Sequence, residues 1–136
     1  AQLASALDRL DRLRPELLET LTPPRGGLLF ALHNNARGYS VRDEVPVSNA
    51  VRLNAPHTPH EFFLVTARED FSALADGPYN VVLQNEAAGP DDGSLSRWAA
   101  RQGIRYVNLE VALGKIDAQR DMLEWAVARL TPDRPT

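Results

Sequence analysis

The chain has 136 residues, 43% apolar and 24% charged, which suits one globular domain able to bury a core of its own. Its formal net charge of −3, with signs interspersed, provides no basic stripe for nucleic acid, and no apolar run reaches the ~18–20 residues of a membrane span. With no cysteine, disulfides and cysteine-based zinc sites are excluded, so any metal must use histidine and carboxylate ligands. The start at Ala1 rather than Met is compatible with a processed or secreted soluble protein and leaves the compartment open.

Leu3, Leu7, Leu10 and Leu13 follow helical spacing, with Asp and Arg on the polar side. Pro15 is expected either to kink this helix or to open a second one over residues 15–21. Residues 22–27 read as a loop. Leu28 to Leu32 is an unbroken apolar run bounded by glycine, the pattern of a strand buried on both faces. It ends in His33-Asn34-Asn35, then Gly38-Tyr39. In open α/β sheets, ligands gather beyond the carboxyl ends of such strands, so His33 is a candidate site residue; alone, it reads more readily as a strand cap.

Residues 34–61 are irregular, with prolines at 46, 56 and 59 and a short strand or extended loop over residues 45–53. Ordered loops of this length are more often functional than incidental. Phe62 to Thr66 is a second strand, followed by a short helix from Arg68 to Ala75 with Asp70 as its cap and Gly77 beyond its end. Tyr79 to Gln84 is a third strand, then a Gly/Asp-rich turn over residues 89–93. Ser94 to Gln102 is a helix capped by Asp92 or Ser94 and stopped by Gly103. Ile104 to Leu109 is a fourth strand that runs into Glu110. Asp117 is read as the cap of a long amphipathic helix to Leu130, with Met122, Leu123, Trp125, Ala126, Val127 and Leu130 on or near its buried stripe, and residues 131–136 form a tail. Strands alternating with helices predict a single α/β domain, a layered, mostly parallel or mixed sheet flanked by helices.

His33 and Glu110 both stand at ends of apolar strands, and neighbouring parallel strands would bring them to one rim. A carboxylate ending so apolar a strand needs a partner or a function. Pro59 keeps the cluster His57, His60 and Glu61 off a helix, so it lacks the one-face geometry of a helical zinc motif and reads as a surface loop. Asp91 and Asp92 read as a turn and helix cap rather than a cation site.

Two stretches together resemble the zinc carboxypeptidases and aspartoacylase-like amidohydrolases. The first is the strand Leu28 to Leu32 with His33-Asn34-Asn35 and Gly38-Tyr39, although Ala31 stands where that family has an acidic residue. The second runs from Gly93-Ser94 through Trp98-Ala99 and Gly103-Ile104 to Val107-Asn108-Leu109-Glu110. The resemblance covers about residues 3–130, as the C-terminal half of a family member. It implies a zinc-dependent hydrolase of peptide or amide bonds, with His33 as a zinc ligand and Glu110 as general base. Asn34, Asn35, Tyr39 and Gln84 would then contact a peptide or N-acyl amino-acid substrate. The family's His-x-x-Glu ligand pair and its Asn-Arg carboxylate grip have no counterpart here. Three explanations stand open: a missing N-terminal segment or chain supplies them, the chain is a non-catalytic relative, or His57, His60 or Glu61 improvise. The alternative function is a non-catalytic α/β binding or interaction module.

Overall fold

The computed structural model describes residues 2–36, 38–85 and 92–131. Arg37, the segment from Glu86 to Asp91, and the expected tail from Pro132 onward therefore lie outside the described residues. Among the described residues five strands form one sheet: β1 (Leu28–Asn35), β2 (Ala50–Arg52), β3 (Phe62–Val65), β4 (Asn80–Leu83) and β5 (Arg105–Ala112). Their spatial order is β1-β5-β3-β4-β2. β1 pairs with β5, and β3 with β4, in parallel, whereas β5 to β3 and β4 to β2 are antiparallel. The α/β expectation holds, and the sheet is mixed.

Among the described residues five α-helices accompany the sheet: α1 (Gln2–Leu21), α2 (Val41–Glu44), α3 (Arg68–Ala75), α4 (Leu95–Gln102) and α5 (Ile116–Leu130). Strand alternation sends successive side chains to opposite faces, and each face acquires its own cover. On one face Phe63, Val65, Val81, Leu83, Val107, Leu109 and Val111 meet Leu74 of α3 and Met122, Ala126 and Leu130 of α5. On the other, Phe62, Leu64, Val82 and Tyr106 meet Val41 of α2 and Ala99 of α4. The result is three layers. On α5, Met122, Ala126 and Leu130 are buried, while Leu123 and Trp125 pack at the margin.

Several local expectations are corrected. α1 is a single helix with Pro15 inside it, neither broken nor restarted there; a proline costs one backbone hydrogen bond, which a solvent-facing turn tolerates better than a packed one. Residues 45–53 hold a 3-10 turn at Val45–Val47 and then β2. Asp70 does not cap α3. The cap position is Ala67, with no side-chain bond, and Asp70 is buried against Arg105, whose Nη2 lies 2.6 Å from its Oδ1. That bond raises the Arg105 guanidinium above its ordinary value, against the opposing effect of burial. Asp117 sits in the first turn of α5 without capping it. Ser94 does cap α4, accepting from Arg97 N, and Gly103 ends that helix in the left-handed region at φ 64°.

Buried Asn80 shapes the long loop. Its Oδ1 accepts from Ala55 N at 2.9 Å, and its Nδ2 donates to Ala55 O, Thr58 O and Glu61 O. One side chain thus satisfies the backbone of a segment that has no ladder of its own.

Candidate functional site

Parallel pairing in register sets His33 beside Glu110. Both face the α2/α4 side of the sheet, because His33 shares the parity of Leu29 and Ala31, and Glu110 that of Tyr106. His33 Nδ1 lies 3.3 Å from Glu110 Oε1, with the imidazole half exposed and the carboxylate buried. β5 continues through Glu110 to Ala112, so the carboxylate sits within a strand rather than beyond its end.

A buried carboxylate requires donors, and here two amides supply them. Asn35 Nδ2 donates to Glu110 Oε2 and Asn108 Nδ2 to Oε1, each at 3.2 Å. Asn35 Nδ2 also donates to His60 O at 2.8 Å, tying this arrangement to the long loop. The amide oxygens of Asn35 and Asn108 are buried without a partner. Such acceptors are rare in folded proteins and mark either stored cost or a place for a donor.

Opposite this pair is a second carboxylate, Glu44. Tyr39 Oη donates to its Oε1 and Gln84 Nε2 to its Oε2, both at 2.6 Å. Ser40 positions this wall by capping α2: it accepts from Arg42 N, while its own N–H donates to Asp43 Oδ2. Burial, and then Glu44, hold the Tyr39 phenol far above its ordinary value, so it stays protonated as a donor. Burial and the charge of Glu110 push Tyr106 up to about 12.

Between the two walls lies a cavity of about 450 Å³ lined by His33, Glu110, Asn108, Tyr39, Glu44 and Gln84, with Asp92, Ser94 and Arg97 at its α4 side. Arg97 Nε pairs with Asp92 Oδ2 at 3.3 Å. Larger concavities, of about 700 Å³ along α1 and about 470 Å³ beside residues 22–27, hold no comparable set of converging titratable groups, so chemistry singles out the smaller one.

His33, Glu110, Tyr39 and Gln84 are therefore brought together. Asn35 is adjacent but braces Glu110. Asn34 is on the opposite face of β1, exposed and outside the cavity lining. His60 is structural, its Nδ1 lying 2.7 Å from Tyr39 O, and His57 is exposed. Glu44 and Asn108 were missed. Asn108 was open to discovery, because two residues before Glu110 on a strand is the same face. Glu44 carried no signal beyond the Ser40–Asp43 capping pair.

Zinc takes three protein ligands and one open position. Among the described residues, no group of three or more His, Asp or Glu side chains is arranged to hold a metal ion. The arrangement of His33 suits one ligand, since a metal-bound histidine usually turns its second nitrogen to a carboxylate, as Nδ1 does to Glu110. The described donors do not complete a zinc site. Also among the described residues, no helix is long and apolar enough to cross a membrane.

Fold and site together define a three-layer α/β protein with a histidine–carboxylate pair at the mouth of a polar cavity. Comparison with family sequence models, with curated proteins and with solved structures found no match.

Proposed function

We propose that the chain carries part of a hydrolase centre for peptide or amide bonds, of the zinc-carboxypeptidase or aspartoacylase-like kind. The observation that supports it most is the in-register placement of His33 and Glu110, 3.3 Å apart, beside a cavity of about 450 Å³. In this reading His33 offers its remaining ring nitrogen, Nε2, to a metal. Glu110 is the group that takes a proton from water and returns it to the leaving amine. Zinc, when bound, would supply Lewis acidity. The substrate is a peptide or N-acyl amino acid. Tyr39 and Gln84 hold the wall opposite Glu110 through Glu44, while Asn108 braces Glu110 through its Nδ2.

The described residues lack two further ligands, so this reading requires them from another segment or chain. β1 stands at one end of the strand order and, among the described residues, has β5 as its one strand neighbour, with the His33 carbonyl accepting from Gln119 Nε2 at 3.2 Å. Polypeptide added along the outer edge of β1 would arrive next to the imidazole. A second reading, a non-catalytic binding module, draws on the same shortage and on the two amide donors that already occupy Glu110, with His33 beside them.

Metal analysis and calorimetry of the protein in its natural full length test the proposal. Stoichiometric zinc that is lost in His33→Ala, with Glu110→Gln keeping the metal but losing hydrolysis of N-acyl amino acids and peptides, is the expected result. Absence of zinc binding at micromolar concentrations would leave the binding module as the reading.

A further inference from the structure

α1 carries more exposed leucine than any other element. Leu3, Leu7, Leu10, Leu13 and Leu17 are 73, 52, 62, 49 and 58% exposed. Of its leucines only Leu18 and Leu21, next to the loop into β1, are half-buried, and among the described residues no other element packs broadly against this helix. Single exposed leucines need no explanation, but a continuous stripe of them marks an interaction surface.

The spacing of the stripe is specific. Positions 3, 7, 10, 14, 17 and 21 alternate steps of four and three, the 3.5-residue period of helices that pack along a seam. All are leucine except Arg14. Pro15 falls on the outward side and keeps its ring off the seam.

We propose that α1 is a self-association helix that pairs antiparallel with α1 of a second copy of this chain. Antiparallel pairing about residue 12 sets Leu3 against Leu21 of the second copy, and Leu7 against Leu17. Arg14 then meets Leu10 of the second copy, with Asp11 next to it. Two arginines and two aspartates gather at the two-fold axis and cancel. Parallel pairing instead stacks Arg14 on Arg14 inside an apolar seam, two like charges with no carboxylate between them. Charge thus selects the antiparallel arrangement, and two-fold pairing makes each contact occur twice. This inference is independent of the hydrolase reading.

Light scattering and sedimentation of this 15.0 kDa chain should give twice its mass at high micromolar concentration, dissociating on dilution. Leu7→Asp and Leu17→Asp should each return the single-chain mass with an unchanged Trp125 environment and near-ultraviolet spectrum. Because the chain has no cysteine, Leu7→Cys/Leu17→Cys should oxidise to a covalent dimer, whereas either single cysteine should not. A single-chain mass for the unaltered protein at every concentration overturns the proposal. So does efficient cross-linking through Leu7→Cys alone, which reports a parallel pair. Loss of the core spectrum in the aspartate variants overturns it too, since it places the stripe against the molecule's own body.

Discussion

β1 and β3 are close in composition and opposite in circumstance. Leu28-Leu29-Phe30-Ala31-Leu32 and Phe62-Phe63-Leu64-Val65 are both unbroken apolar runs. β3 lies between β5 and β4 with cover on both faces, and all four of its residues are buried. β1 has one neighbour; its first four residues are half-buried, and Leu32 is 47% exposed. An apolar strand at an open edge, without the lysine, proline or bulge that usually protects one, is an invitation to pairing. Composition shows that a strand can be buried, but its neighbours decide whether it is. The functional consequence follows directly. The enclosed centre of the sheet supplies Glu110 from β5, whereas His33 is delivered by the half-exposed edge strand β1.

The largest test of this contrast is Phe63→Ala. Phe63 stacks on Trp125 with centroids 6.0 Å apart and meets Tyr79 edge-on at 5.7 Å, so truncation should cost about 3–5 kcal/mol in urea unfolding. A loss under about 1 kcal/mol would erase the distinction between centre and edge. Next is Asn80→Ala, which strips four hydrogen bonds from the 55–61 loop and leaves backbone groups unsatisfied. About 2–3 kcal/mol is expected, with hydrogen exchange faster at Ala55 than within β3.

Tyr106 tests the central strand by pH. Its folded-state value of about 12 exceeds the ordinary 10.0, so the unfolded chain ionises first as pH rises. Below pH 10 this group costs the fold nothing; between 10 and 12 stability is progressively lost. Tyr106→Phe should match the parent protein at pH 7 and lose less stability across that window. An identical alkaline profile in both proteins would place the titration elsewhere. The smallest effect belongs to the edge: Leu32→Ala should cost less than about 1 kcal/mol in the isolated chain, because the removed surface is already half in water. A cost equal to that of Phe63→Ala would mean that β1 is covered in solution.

Much of the site was legible because it depends on short-range pattern. Strand parity and the alternation of strands with helices suffice to bring His33 and Glu110 to one rim once β1 and β5 are neighbours. The rest depended on contacts distant in sequence. Glu44 reaches the cavity through a four-residue helix held by Ser40 and docked where Val41 N donates to Pro59 O. Asp70 looked like a helix cap because its partner, Arg105, lies 35 residues away. By itself the sequence determined most of the helices and strands, since apolar period, glycine stops and Ser94 are local facts of one chain segment. Only the tertiary structure decided which apolar strands are enclosed, that the sheet is mixed, and that Glu110 is held by Asn35, Asn108 and His33. Those outcomes depend on which segments become neighbours, and a buried charge takes whatever donors that packing brings within reach.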